Sequence, residues 1–162
     1  MAKAAKPKIE TSKVTIELLG QSLVEVDLVA LPHVDGEKVE LRYHASIDTP
    51  EKLEDNRFFF RCDFSVTKKK AGSDEELQSV AAIYGCILQH PSDDIPTVEA
   101  VGKSFVATSA WQAFSSLFAV VSHQMGTPFP PLPPSPGGVA SSGRSSFEEL
   151  ELNEAEEEER AE

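Results

Sequence analysis

The sequence predicts an α+β fold: a four-stranded antiparallel sheet covered by one long helix, with a short second helix after a Pro-rich loop. Three observations carry this. Four stretches between residues 13 and 89 alternate apolar and polar side chains, or run apolar, with polar turns between them. One stretch, 103–125, holds neither Gly nor Pro and sets Trp111, Phe114, Phe118, Val121 and Met125 on one face of a helical wheel. Six prolines then crowd into residues 128–136, where the ring fixes φ and removes the backbone donor.

The first strand spans about 13–31, with Val14, Ile16 and Leu18, then Val24, Val26 and Leu28, alternating with polar residues. Gly20 and Gln21 interrupt it, which predicts a bend or bulge. Pro32 and Asp35-Gly36 end it. In the second strand Val39, Leu41, Tyr43, Ala45 and Ile47 alternate with Glu40, Arg42, His44, Ser46 and Asp48. Pro50 to Asn56 reads as a charged connector. In the third strand Phe58, Phe60, Cys62, Phe64 and Val66 alternate with Phe59, Arg61, Asp63, Ser65 and Thr67, and Lys68 to Ser73 reads as a turn. Residues 77–89 form a fourth strand that is apolar on both faces. Such a meander or Greek key has one inward face to cover, and after a loop over Pro91–Gly102 the helix covers it.

The far side of that helix is unusual. After Lys103 it carries no Asp, Glu, Lys or Arg, in a protein with 26% charged residues. Small uncharged side chains let another backbone approach closely, so Ser109, Gln112, Ser116 and Ala119 are expected to form an interface between copies of the chain. Beyond Gly126 the Pro-rich stretch offers Phe129 and Leu132 as apolar anchors, and Gly137–Gly143 reads as a flexible hinge. Ser145 or Ser146 followed by Glu148 or Glu149 makes a capping-box pattern for a short helix from Phe147. The expected organisation is a flexible basic arm over 1–12, one domain over 13–152, and a disordered acidic tail over 153–162.

Charge and chemistry narrow the function. The net charge is −12, and nine Glu against two Arg fall in residues 144–162. An acidic domain with an acidic tail repels phosphate backbones, which disfavours nucleic-acid binding. The four histidines lie on different elements without a metal-ligand spacing. Val101-Gly-Lys-Ser104 imitates the end of a phosphate loop, but Thr97 stands where the leading glycine would be. No nucleophile elbow is present. The chain is therefore expected not to be an enzyme and to need no metal or cofactor. Cys62 and Cys86 read as small buried residues of a reducing compartment. The opening stretch lacks an apolar run, and the uncharged stretch after Ser104 is broken by Ser, Thr, Gln and Pro. Neither a signal peptide nor membrane insertion is expected, and the location is read as cytoplasmic.

Over roughly residues 13–152 the order of elements resembles the SecB family of protein-export chaperones. The likeness is strongest in Phe105-Val-Ala-Thr-Ser-Ala-Trp-Gln-Ala-Phe-Ser-Ser-Leu-Phe118 and in Gly126-Thr-Pro-Phe-Pro-Pro-Leu-Pro-Pro134. The resemblance implies a homotetramer, assembled as a dimer of dimers, that holds unfolded apolar segments of preproteins without ATP and passes them to the translocase motor SecA. It also implies acidic SecA contacts on the outer sheet face. Asp27 matches one, whereas Ser79-Val-Ala-Ala-Ile83 of the last strand carries none. That departure leaves room for a SecB-like chaperone dedicated to one client, such as an antitoxin.

The expected function is thus an ATP-independent holdase. Its client-binding residues are Phe129 and Leu132 of the loop, Phe147 and Leu150 of the second helix, and Phe59 of the sheet. A competing reading is a non-enzymatic acidic adaptor or scaffold whose Pro131-Leu-Pro-Pro134 is read by an aromatic-lined domain.

Overall fold

The structure, a computed structural model, describes residues 15–30, 38–125 and 129–145. The strands are β1 (Glu17–Ala30), β2 (Val39–Thr49), β3 (Glu51–Lys52), β4 (Arg57–Lys70), β5 (Glu76–Gln89) and β6 (Ala140–Ser145). A continuous helix separates β5 from β6, with α1 (Ile95–Phe105), a π-helical turn (Val106–Ala110) and α2 (Trp111–Gln124). The order across the sheet is β1-β5-β4-β2-β6, and β3 pairs the start of β4. β2, β4 and β5 follow one another as antiparallel neighbours and β1 lies beside β5, which is a Greek key.

The four long strands stand where alternation and the apolar run of 77–89 set them, and the sheet then differs from the expected one in two places. β3 arises inside the expected Pro50–Asn56 connector, because Asp55 and Asn56 take the left-handed backbone (φ 58 and 57) and fold Leu53 N–H back onto the Arg57 carbonyl at 2.7 Å. β6 arises inside the expected Gly137–Gly143 hinge and pairs with β2 in parallel. Its residues have weak strand propensity, and tertiary hydrogen bonds rather than local preference place it there. The sheet therefore has six strands, not four. β1 carries irregularities at Leu18/Gly20 and Leu23/Glu25, the first of them at the interruption read from Gly20.

The helix starts at Ile95 rather than Lys103, and the expected loop shrinks accordingly. Asp94 caps it by accepting from Thr97 N–H at 3.1 Å, and Pro96 sits in the first turn, where its missing donor costs nothing. Gly102, expected as the last residue of the loop, lies inside α1 because the helix touches the sheet there: a Cβ would fall 2.8 Å from Ile47 Cδ1. Buried positions 98, 102, 106 and 110 are four apart, and each such step overshoots a full α-turn by about 40°. The wider π turn takes up that drift and aligns Trp111, Phe114 and Phe118 with the sheet.

The core lies between the helix and one face of the sheet. Phe58, Phe60, Cys62, Phe64 and Val66 of β4 and Val80, Ala82, Tyr84, Cys86 and Leu88 of β5 meet Val98, Val106, Trp111, Phe114 and Phe118. Phe64 stacks on Phe114 at 5.2 Å between centroids and also contacts Trp111 and Tyr84 at 5.7 and 5.9 Å. Such pairs add about 0.5–1.5 kcal/mol beyond area burial.

Candidate functional site

The Pro-rich loop is fastened to this core at two points. Phe129 meets Phe118 edge-on at 5.2 Å, and the Trp111 indole donates from Nε1 to the Pro133 carbonyl at 2.8 Å. A tryptophan needs a partner for its N–H when buried, and here the partner is a backbone that proline has already stiffened. Lys68 completes the arrangement, with its ammonium 5.3 Å from the Phe129 ring centroid. Lys68 was expected in a turn, but β4 runs on to Lys70, with Lys68 opposite both Leu41 and Gln78. Only 7% of Lys68 is exposed; its aliphatic stem is buried and its charge faces the ring, where a desolvated cation–π contact is at its strongest. The alternating pattern could not reveal this, since a Lys triplet reads as a turn.

Phe129 and Leu132 are each half-buried, packed on the core yet open on one side. Val39, Leu41 and Tyr43 lie on the same sheet face as Lys68, and Val39 and Tyr43 are 37% exposed. The loop and this end of β2 thus share an apolar surface at the rim of the core. Phe59 does not join them. It lies on the opposite sheet face, over Gly85, where an added Cβ would stand 3.1 Å from the Phe59 ring. Phe147 and Leu150, like the arm over 1–12, the tail over 153–162 and the expected second helix, lie outside the described residues.

Ser109, Gln112, Ser116 and Ala119 are all exposed on the helix side turned from the sheet. The hydroxyls there fold back on their own helix: Ser116 donates to the Gln112 carbonyl at 3.0 Å and Thr108 to the Ser104 carbonyl at 2.8 Å. With those donors satisfied internally, the face presents few polar groups, and Val120 beside it is 64% exposed. By length and composition alone the helix Ile95–Gln124 would suffice to cross a membrane, but its aromatic face is covered by the sheet.

Two further hollows flank the sheet. On the helix side, Ile16, Ala100, Val101 and Phe105 with Thr97 and Ser104 line an open, mainly apolar groove of about 580 Å³. On the outer face, Glu25, Asp27, His44, Asp63, Ala81 and Ile83 line one of about 250 Å³. Asp27 is exposed there, opposite Ala81. The carboxylates that line this hollow come from β1 and β4, beside the uncharged stretch of β5. β1 also exposes Leu23, Val26 and Leu28 on the helix-side face, opposite Tyr84, Ala82 and Val80, together with Leu19 and Val24. Alternation marks Val24, Val26 and Leu28 as the apolar side of a half-buried strand, but β1 lies at the sheet edge, beyond the cover of the helix.

Among the described residues, no three or more His, Cys, Asp or Glu gather closely enough to hold a metal ion. Cys62 and Cys86 are buried with sulfurs 4.0 Å apart. The hydrogen bond to Cys86 and burial together push the Cys62 thiol far up, so it stays protonated. His90 is equally structural, accepting from Ser92 N–H at Nδ1 at 3.0 Å.

No protein-family model and no curated protein matches the chain. Among solved structures it is similar to the SecB-like chaperone Rv1957 of Mycobacterium tuberculosis, determined in complex with a ChAD peptide from the Rv1956 HigA1 antitoxin. The two are 11% identical with a TM-score of 0.49, over 73% of this chain and 88% of that one.

Proposed function

We propose that the protein is a non-enzymatic, ATP-independent chaperone that holds unfolded apolar segments of other polypeptides on the surface formed by Phe129, Leu132 and the β2 end. The observation that carries this reading is the half-burial of Phe129 and Leu132 on a loop that proline stiffens and Trp111 anchors. Large apolar side chains held rigid at a core rim bind extended chains with little ordering cost. Phe147 and Leu150 follow β6 in sequence, after Ser145 opposite Thr49 at the other end of β2, and would add a separate apolar contact for the client. Phe59, on the other face, would belong to a separate contact.

The bland helix face supports a homo-oligomer, a tetramer in the SecB-like reading, built on Ser109, Gln112, Ser116 and Ala119. Asp27 and its acidic neighbours would meet a basic partner, SecA in an export role in the cytoplasm. The lack of carboxylates at Ser79, Ala81 and Ile83 favours a second form of the reading, a chaperone dedicated to one client such as an antitoxin. The adaptor reading is disfavoured because the Pro133 carbonyl is engaged by Trp111 and Leu132 packs on the core.

The test is light scattering of an unrelated, chemically unfolded polypeptide diluted with and without the protein, in the absence of nucleotide. Suppressed aggregation at near-stoichiometric ratios is expected; unchanged aggregation would remove the general holdase reading.

A further inference from the structure

We propose that the β2 edge covered by β6 is a strand-addition site for an extended partner segment bearing small hydroxyl side chains and one basic side chain, with β6 its displaceable occupant. The proposal deepens the chaperone reading and rests on it only in taking the partner to be a client.

β6 reads Ala-Ser-Ser-Gly-Arg-Ser and has no large apolar side chain; none of its residues is fully buried. Its departure would uncover little apolar area. What holds it is polar. Ser141 donates to Glu99 and receives Lys103 Nζ at 2.6 Å; Ser142 donates to Asp48 and Ser145 to Glu51. Arg144 pairs with Asp63 and, at 3.4 Å, with Asp48. Carboxylates from α1 on the helix side and from β2, β3 and β4 thus flank β6, which answers them with hydroxyls and a guanidinium. The Asp48 side chain is only 2% exposed. Leaving a buried carboxylate without its cation is costly, so a replacement strand must bring a positive charge. An apolar or acidic segment would be refused at this edge, so a client would place its apolar part on the loop surface and a hydroxyl-bearing, basic stretch here.

The backbone favours exchange as well. β6 pairs in parallel through Ser46↔Ala140, Ile47↔Ser141 and Thr49↔Ser145, with a break between the last two. β2 extends back to Val39, and β6 does not pair with residues 39–45. A longer strand would gain main-chain hydrogen bonds that β6 leaves unmade, which is how strand addition derives its affinity. Gly137 (φ +81) and Gly138 precede β6, and a Cβ on either would meet nothing within 4 Å, so the approach to β6 can swing without collision.

The test locks β6 in place. Thr49→Cys with Ser145→Cys, at register partners, is studied in the full chain oxidised and reduced, with circular dichroism confirming equal folding. The probe is a fluorescein-labelled peptide of residues 139–145, read by anisotropy. Saturable binding to the reduced form is expected, weakened by at least about tenfold on oxidation and by a similar factor when the peptide carries Arg144→Glu. Equal binding by both forms, or none by the reduced form, overturns the proposal. Capture of an unfolded polypeptide by the same two samples judges the chaperone reading separately. Capture without peptide binding removes strand addition alone, and peptide binding without capture removes the chaperone reading alone.

Discussion

The Trp111 indole reaches across from the helix to donate 2.8 Å to the Pro133 carbonyl, while its ring contacts Phe64 and Phe114. One side chain therefore belongs both to the core and to the Pro-rich loop, and the loop's position depends on it. Trp111→Phe keeps an aromatic ring but loses the donor and some volume. A stability loss of about 1–3 kcal/mol is expected in urea titration, with affinity for an unfolded client falling further than stability explains. Unchanged affinity would show that the loop needs no anchor.

Much of this arrangement was legible in the sequence. Alternation located β1, β2 and β4, an apolar run located β5, and the wheel over 103–125 placed Trp111, Phe114 and Phe118 on the sheet side, where all three are buried. The errors share a cause. Gly102 as the end of a loop, Lys68 as a turn residue and Gly137–Gly143 as a hinge are each sound local readings, and each is overridden by a tertiary contact: Ile47, Phe129 and the carboxylates beside β6. Local pattern carries no record of such partners. The exposed apolar residues of β1 were misread for a similar reason, because alternation shows which faces differ and not whether a face is covered.

Gly102 and Ile47 give a direct measure of helix–sheet contact. Gly102→Ala gains helix propensity but sets a methyl 2.8 Å from Ile47 Cδ1 in a fully buried place. A net loss of about 1–3 kcal/mol is expected. Ile47→Val removes that Cδ1 and alone costs about 0.5–1.5 kcal/mol. In a thermal-denaturation double-mutant cycle the pair should lose less than the sum of the single changes; strict additivity would mean the helix does not press on Ile47.

Ser116→Glu places a charge on the bland helix face without touching the aromatic face. Sedimentation velocity should show the unmodified protein as an oligomer and the variant shifted to smaller species, because an unpaired charge buried in an interface costs several kcal/mol. A monomeric unmodified protein would refute an interface on this face.

Acid should loosen the attachment of β6. The hydrogen bond from Ser141, with help from Lys103, holds Glu99 below its usual range against an opposing effect of burial. A depressed carboxylate contributes stability that is present above its unfolded pKa and lost as pH falls through the lower folded value. Between about pH 6 and about pH 3 the unmodified protein should therefore lose more stability than Glu99→Gln, as read from urea midpoints. Parallel losses would show that Glu99 does not fasten β6.

The central claim is that clients lie on the loop surface, and Phe129→Ser with Leu132→Ser tests it most directly. The measurement is the affinity of a fluorescent, permanently unfolded polypeptide for the full chain and for this double variant, at a temperature where both are folded. Burial of each large apolar side chain is worth about 1.5–3 kcal/mol, so affinity should fall by about tenfold or more while the oligomer stays intact. Lower thermal stability with unchanged affinity would contradict the account and make Phe129 and Leu132 seals of the core.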